Sequence, residues 1–387
     1  MANLDRTTSL LRDIVGFPTV SRDSNRDLIS FLAEKLEDAG ARVEIQNSPD
    51  GQKANLWATL GPDTDGGIVL SGHSDVVPVE DQDWSHDPFE LVEKDGKLFG
   101  RGTCDMKGFI AAAVAKADDY ARLNLRKPLH FSFTYDEEIG CLGAQHLAGW
   151  LKERDIRPAL AIIGEPTMMQ IIEGHKGCCE YSTHFLGQAG HGSMPDLGVN
   201  AVEYAVRYVS RLMEIAQALK TRAPADSRFD PPWTTINTGA LTGGTAHNVI
   251  PETARLDWEF RPVQSSDFDF IHQEIADYAE NVLEPAMRAV NPKASIRLET
   301  LGQVAGLEPA TENQARDILM ELTGHNGADV VPFATEAGIF SSLGMSAVVC
   351  GPGSIEQAHR ADEFLAIDQL EKCLSMLDGL EAKLVES

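Results

Sequence analysis

Residues 68–89 read "IVLSGHSDVVPVEDQDWSHDPF", and in this stretch an apolar run ends in residues that carry chemistry. The run Ile68–Leu70 is typical of a buried strand, yet the chain then presents His73 and Asp75. Residues two apart on a strand share a face, so these two side chains should point the same way. We therefore expect a strand whose carboxyl end delivers an imidazole and a carboxylate to a functional site.

Strands and helices alternate on both sides of this stretch. Apolar residues recur at helical spacing from Leu4 to Val15 and from Asn25 to Ala39. Further along, the strand-like segments "LHFSFT" and "ALAIIG" alternate with the helical segments "KGFIAAAVAKADDYARL" and "AQHLAGWLKER". This order predicts an α/β fold with a mixed, mainly parallel sheet flanked by helices on both faces.

The pattern changes in the middle of the chain. Residues 179–301 give the order strand, long amphipathic helix, two strands, helix and strand, which is the ferredoxin-like βαββαβ pattern. The α/β pattern returns afterwards, so the βαββαβ domain is predicted to be inserted into the other. The predicted boundaries are 1–178 for the first part of the catalytic domain, 179–301 for the insert and 302–387 for the second part.

The composition is that of an acidic globular protein. The chain has 59 Asp and Glu residues against 33 Lys and Arg, a formal charge of −26, which disfavours nucleic acid or an anionic membrane as partner. Six cysteines form no C-x-x-C pair, which suggests reduced thiols and a cytoplasmic location. The first twenty residues lack the pattern of a signal peptide, and no apolar run approaches the ~20 residues of a membrane span.

Candidate chemical residues follow several predicted strands. Ligands of open α/β sheets bind outside the carboxyl ends of the strands, so these side chains should meet at one edge. A single Asp or Glu after a strand is most often a turn residue, but five loops repeating the pattern favour a metal site. The candidates in these loops are His73, Asp75, Asp105, Glu137, Glu138, Glu165 and His359.

Two histidines and several carboxylates suit a divalent cation such as zinc, with cobalt or manganese as alternatives. This number of carboxylates favours two metal ions sharing a bridging carboxylate, an arrangement common in hydrolases. His73 and His359 would each serve one metal, and Asp105, in the Gly-rich turn "GRGTCDMKG", would bridge them.

The adjacent pair Glu137 and Glu138 is informative because neighbouring side chains in an extended chain diverge. One can bind a metal while the other faces the attacking water as general base. Asp75 is expected to accept the second N–H of His73 and fix its tautomer. The alternative is that Asp75 is itself a ligand.

Seven motifs occur in order along the chain and resemble one family: "SGHSDVVPV", "GRGTCDMKG", "DEEIG", "IGEPT", "GHGSMPDLGVNA", "GGTAHNVIPE" and "GPGSIEQAHRADE". The family is that of the di-zinc amidohydrolases, which include acetylornithine deacetylase, succinyl-diaminopimelate desuccinylase, aminoacylase and related carboxypeptidases. The resemblance implies an enzyme that hydrolyses the amide bond of a small N-acyl amino acid with two zinc ions.

The resemblance also assigns roles to individual residues. It implies catalysis by Glu137 with support from Asp75, a cis peptide bond between Asp105 and Met106, and an inserted domain that acts as a lid and pairs two subunits as a homodimer. The metal ligands that it implies are His73, Asp105 as the bridge, Glu138, Glu165 and His359.

Four further residues are substrate-site candidates. The family resemblance implies that His191, in "GQAGHGSMP", donates to the oxyanion, although its context alone fits a turn histidine. Asn248 and Arg261 are the other lid candidates, and the guanidinium of Arg261 suits a substrate α-carboxylate. Glu336 would face the ammonium of the substrate's side chain.

Two segments of the sequence narrow the choice of substrate. "FATEAGIFSSLGMSAVVCGPGSIEQAHRADE" and "EGHKG" resemble the deacetylase branch, which favours N2-acetyl-L-ornithine. The alternatives are another N-acyl amino acid, a desuccinylase reaction or a dipeptidase reaction within the same family. A non-catalytic metal-binding module is a remote alternative, because every position that the chemistry needs is filled.

Overall fold

The computed structural model describes residues 2–386. Contacts divide them into two compact units. The first unit comprises residues 2–174, 309–330 and 335–386, and the second comprises residues 175–308 and 331–334. None of the helices in the described part of the chain combines the length and the apolar character needed to cross a membrane. The domain boundaries predicted from sequence remain a prediction.

The regular elements are numbered in chain order. The strands are β1 (Arg42–Asn47), β2 (Ala54–Leu60), β3 (Ile68–His73), β4 (Val92–Lys94), β5 (Lys97–Phe99), β6 (Leu129–Thr134), β7 (Leu160–Pro166), β8 (Ile172–His175), β9 (Cys178–Leu186), β10 (Gly190–His191), β11 (Thr235–Gly243), β12 (Val249–Ile250), β13 (Thr253–Arg261), β14 (Ser295–Val304), β15 (Asp329–Val331), β16 (Ser346–Gly351) and β17 (Phe364–Ala366). The α-helices are α1 (Ala2–Val15), α2 (Arg26–Asp38), α3 (Gly108–Ala115), α4 (Ala117–Ala121), α5 (Leu142–Glu153), α6 (Ala201–Thr221), α7 (Ser265–Tyr278), α8 (Glu284–Arg288), α9 (Gln314–Thr323), α10 (Ala337–Ser342) and α11 (Ile367–Val385).

An eight-stranded mixed sheet in the order β1-β2-β6-β3-β7-β16-β8-β15 forms the centre of the first unit. Its middle is parallel, because β3 pairs in parallel with both β6 and β7, and β7 pairs in parallel with β16. Every residue of β3, β6 and β7 is buried. The sheet confirms the predicted α/β class, and it brings the carboxyl ends of these four strands to one edge.

The helix α3 is buried along its whole length, which explains its sequence. Its residues "GFIAAAVA" are small or apolar on every side. The short side chains let the helix approach the sheet closely, and Phe109 fills the space above Gly164 of β7. Helix and sheet therefore meet at a contact that leaves no room for a methyl group.

The second unit contains the predicted βαββαβ arrangement. Its antiparallel sheet has the order β11-β13-β9-β14, with α6 and α7 as the two crossing helices. Along β13 the burial alternates, as expected when one face packs on helices. Tyr181, Trp258 and Phe260 form the aromatic centre of this core.

The turn before α3 is irregular. Residues Thr103–Lys107 form one wide turn in which Asp105 and Met106 have non-helical backbone angles. The peptide bond between Asp105 and Met106 is cis, which confirms what the family resemblance implies. The turn sets the carboxylate of Asp105 at the edge where β3 ends.

Replacing Gly164 with alanine tests the close approach of α3 to the sheet. A Cβ at this position would lie 1.9 Å from Cγ of Phe109, whose side chain is fully buried. We expect Gly164→Ala to lower the free energy of unfolding by about 1–3 kcal/mol or more, because overpacking a filled core usually costs this much. Chemical denaturation measures this change.

Gly149 provides the matched control. It is exposed on α5 and a Cβ there would meet no atom within 4 Å. Gly149→Ala should raise the free energy of unfolding by about 0.5–1 kcal/mol, because alanine loses less entropy in a helix. Equal stability of the two variants would contradict the packing described for Gly164.

Candidate metal and catalytic site

The candidate site is assembled at the edge of the first unit's sheet. His73 ends β3, Glu165 lies near the end of the adjacent β7, and Glu137 and Glu138 follow β6. His359 comes in the loop after β16. Neighbouring parallel strands therefore place residues that are far apart in sequence beside one another, as the sequence predicts.

Asp105 lies between the two histidines. Its Oδ1 is 3.0 Å from Nε2 of His73, and its Oδ2 is 3.4 Å from Nε2 of His359. The Nε2 of His359 also lies 3.0 Å from Oε2 of Glu138. Each carboxylate oxygen of Asp105 thus faces a different imidazole, which is the arrangement that a bridging ligand needs.

Two overlapping groups of side chains could each hold a cation. Ligand atoms of His73, Asp105 and Glu138 lie within 4.8 Å of one another, and so do those of His73, Glu137 and Glu165. The second group includes the predicted general base, so geometry alone leaves Glu137 able to bind a metal. The distances are compatible with two ions that share this cluster.

The carboxylate of Asp75 was expected to accept the second N–H of His73, but its hydrogen bonds go to other groups. Nδ1 of His73 is 2.9 Å from the main-chain oxygen of Asp75 and 3.5 Å from its carboxylate. The carboxylate instead accepts hydrogen bonds from the hydroxyl of Ser21 at 2.8 Å and from the N–H groups of Glu137 and Glu138 at 3.1 and 3.4 Å. Asp75 therefore contacts the loop after β6 as well as the imidazole of His73.

The acidic surroundings raise the pKa of both histidines. Burial alone would lower the pKa of His73, but Glu165, Asp105 and Asp75 outweigh it and raise that pKa well above its usual value. Hydrogen bonds with Asp105 and Glu138 raise the pKa of His359 to about 10. The acidic site therefore favours the protonated, positively charged form of both imidazoles.

The pKa values of two carboxyl groups, those of Glu137 and Glu165, are also raised. Burial raises the pKa of Glu137 well above its usual value; His73 opposes this shift, while Glu138 and Glu336 add to it. The pKa of Glu165 is raised in the same way, by burial and by its acidic neighbours against the effect of His73. Such carboxylates are stabilised as anions only if more positive charge enters the cluster.

Glu165 provides the clearest sign that these residues fit a cation. Its Oε1 is buried and has no hydrogen-bond partner among residues 2–386. A buried acceptor without a donor is costly, and a metal ion would satisfy it. Together with the mixture of imidazole and carboxylate donors, this observation fits the predicted zinc or a similar divalent ion.

Glu336 lies beneath the same edge of the sheet. Its side chain is 1% exposed and accepts hydrogen bonds from the hydroxyls of Thr134 and Ser71. Burial raises its pKa from the ordinary 4.5 to about 7, because those hydrogen bonds and His73 only partly offset the loss of water. Its predicted contact with a substrate ammonium remains a prediction.

The remaining substrate candidates lie in the second unit. His191 and Asn248 are neighbours there, because β10 pairs with β12 and the N–H of Gly192 donates to the oxygen of Asn248 at 2.8 Å. Both are exposed. Arg261 is separate from them, at the end of β13, where it pairs with Glu259 at 3.0 Å. Their predicted roles remain predictions.

Two residues at the site were missed by the sequence reasoning. Ser21 binds the carboxylate of Asp75, and the thiol of Cys141 lies 3.5 Å from Oε1 of Glu137. Cys141 stands four residues after Glu137 in "DEEIGC", so its position could have suggested it. Ser21 is 54 residues from its partner and carries no motif, so only the fold reveals it.

Comparison with known proteins agrees with this arrangement. Residues 69–381 match the protein family described as peptidase family M20/M25/M40. A curated relative, the acetylornithine deacetylase of Proteus mirabilis strain HI4320, is 37% identical over 379 residues, covering 96% of this chain and 95% of the relative.

Solved structures share the fold at low identity. The aminopeptidase PepT from Bacillus cereus ATCC 10987 superposes with a TM-score of 0.75 at 17% identity, over 99% of both chains. The YXEP protein of Bacillus subtilis, described as a dinuclear metal-binding peptidase of the M20 family, superposes with a TM-score of 0.64 at 17% identity, over 99% of both chains.

The raised pKa of Glu336 predicts that this carboxyl makes the metal-free protein less stable as the pH rises from about 4.5 to about 7. Below the unfolded pKa near 4.5 the carboxyl is neutral in both states, so its charge has no effect. As the pH rises through about 7, the folded state loses stability, because it binds the proton more tightly than the unfolded state does. Glu336→Gln removes this loss.

We therefore expect the metal-free Glu336→Gln variant to gain stability relative to wild type between pH 5 and about pH 7. Urea unfolding at several pH values, with a chelator present, measures the difference. Other titrating groups are common to both proteins and cancel. A difference that is constant with pH, or that moves the other way, would show that Glu336 is not buried as described.

Proposed function

This chain belongs to peptidase family M20/M25/M40, and from this premise we propose that it hydrolyses N2-acetyl-L-ornithine to L-ornithine and acetate with two bound metal ions. The observation that carries the proposal is the position of Asp105, whose two oxygens face one histidine each. The acetylornithine deacetylase relative supports the choice of substrate, because the similarity extends over nearly the whole of both chains.

The site would hold its cations with five side chains. When bound, the two ions would polarise the acyl carbonyl and make water acidic enough to lose a proton near neutral pH. Zinc suits the donor set best, and cobalt is the second choice. The ligands would be His73, Asp105 as the bridge, Glu138, Glu165 and His359.

Glu137 would act as general base and then as general acid. Its raised pKa suits a carboxylate that accepts a proton from the attacking water and passes it to the leaving amine. Asp75 would keep this carboxylate in place through the N–H of Glu137. His191, in the same subunit or a partner, would donate a hydrogen bond to the oxyanion.

Charged groups would select the substrate. Arg261, with Asn248 nearby in the bound state, would hold the α-carboxylate. Glu336 would hold the side-chain ammonium, since the hydroxyls of Thr134 and Ser71 carry no charge to balance its carboxylate.

We also assign a homodimer formed through the second unit. Its strand β11 lies at the edge of the sheet and is exposed along most of its nine residues. An edge strand of this length offers unpaired N–H and C=O groups to a second copy. A cytoplasmic location suits the six cysteines, all of which are free thiols.

Glu137→Gln separates catalysis from metal binding. The amide keeps the size of the side chain but cannot take a proton, so we expect turnover to fall by about 10²–10⁴-fold. Metal content, measured by elemental analysis after dialysis, should stay near that of wild type. A variant that loses metal would make Glu137 a ligand. Glu153→Gln, an exposed glutamate at the end of α5, is the matched control and should behave as wild type.

A side-by-side substrate assay tests the specificity. We expect kcat/KM for N2-acetyl-L-ornithine to exceed that for other N-acetylated amino acids, N-succinyl-diaminopimelate and dipeptides. Hydrolysis of dipeptides at an equal or higher kcat/KM would overturn the assignment and favour the dipeptidase alternative. Binding of metal with no hydrolysis of any of these compounds would favour the non-catalytic module.

A further inference from the structure

A buried carboxylate outside the metal cluster organises the turn that carries Asp105. Glu363 is 1% exposed and accepts four hydrogen bonds. Three come from main-chain N–H groups of the turn, those of Gly102 at 3.0 Å, Cys104 at 2.8 Å and Asp105 at 3.1 Å. The fourth comes from the guanidinium of Arg101 at 2.7 Å. One side chain therefore binds the backbone of the turn at Asp105 and at two of the residues that precede it.

Arg101 extends these contacts to two further loops. It is also 1% exposed, and it donates to the main-chain oxygen of Arg360 at 3.2 Å and to the side-chain oxygen of Gln82 at 2.6 Å. Its guanidinium lies 5.0 Å from the centre of the Trp84 ring. The charge of Arg101 is thus neutralised by Glu363, while its two terminal nitrogens also donate to the loops that contain residues 78–84 and 359–363.

Gln82 completes a connection between Asp105 and His359. Its amide nitrogen donates to the main-chain oxygen of His359 at 2.9 Å, while its oxygen accepts from Arg101. A continuous path of hydrogen bonds therefore joins the N–H of Asp105 to the carbonyl of His359. We call the side chains of Glu363, Arg101 and Gln82 the Glu363 network.

His359 depends on such support more than His73 does. The side chain of His73 is 1% exposed and ends a buried strand, whereas that of His359 is 54% exposed on a loop. His359 also has a φ of 62°, a left-handed conformation that a residue other than glycine adopts only when its surroundings hold it there.

We propose that the Glu363 network positions His359 against Asp105 and so sets the affinity of one of the two cation positions. The outer position would be held by His359, Glu138 and Asp105, and the inner position by His73, Glu165 and Asp105. Gln82 acts on the outer position alone, because it is the member of the network whose amide binds the main chain of His359. This inference rests on the metal site of the proposed function.

Zinc titration of the metal-free protein tests the inference. Calorimetry gives the stepwise affinities, and elemental analysis after dialysis counts the bound ions. Gln82→Met keeps the size of a half-buried side chain and removes its three hydrogen bonds, to His359, Arg101 and Trp84. We expect its second zinc affinity to fall by about 10–100-fold, the usual effect of losing an outer partner of a ligand, with the first within about 2-fold of wild type.

Two further variants separate positioning from stability. Glu363→Gln should lower both zinc affinities, because Glu363 holds the turn of Asp105, and it should lower the melting temperature, because it leaves Arg101 buried without a charged partner. Lys116→Met disrupts a different buried cation, one that pairs with Asp119, Asp378 and Glu381. This control should lower the melting temperature while leaving both zinc affinities unchanged.

The outcomes distinguish this inference from the proposed function. A wild-type protein that does not bind two zinc ions overturns both. If wild type binds two ions and Gln82→Met binds them with the same two affinities as wild type, the network has no positioning role and the proposed function stands. A parallel fall of both affinities in Gln82→Met, or an equal fall in Lys116→Met, also overturns the positioning role.

Discussion

Mutual repulsion among clustered carboxylates is the constraint on which the rest of this structure depends. Asp105, Glu137, Glu138 and Glu165 converge on one small volume, and two imidazoles face them. Two like charges 4 Å apart repel by about 4 kcal/mol at the effective dielectric constant near a protein surface. The scaffold must hold these groups together before any cation arrives, and the cation supplies the charge that makes their proximity favourable.

The rigid sheet holds these carboxylates and imidazoles close together. The residues that end β3 and β7 cannot move apart without breaking a buried parallel pair, and α3 is pressed against them by the contact of Phe109 with Gly164. Loops supply the other candidate ligands, and buried carboxylates that bind main-chain N–H groups hold those loops. Asp75 does this for Glu137 and Glu138, and Glu363 does it for the turn of Asp105.

The parts of the fold with a local signal were predictable. β3 begins and ends where the sequence places it, and the α/β order and the βαββαβ unit follow from periodicity. Strand β2 was missed, because its Asn55 reads as a turn residue. In the structure Asn55 is buried and bonded to Gln46 and to the main chain of Gly143. Glu363 and Arg101 were missed because 262 residues separate them. Only tertiary structure pairs them.

The two imidazoles differ in exposure, so the two proposed cation positions would be unequal. His73 is enclosed by strands, and an ion beside it would meet few competing water molecules. His359 is half exposed, and an ion beside it would stay in contact with solvent. Water and substrate would therefore reach the cluster from the side of His359. Glu137 directly precedes Glu138, whose carboxylate contacts His359, so the loop after β6 places the proposed general base near that side while His73 stays buried.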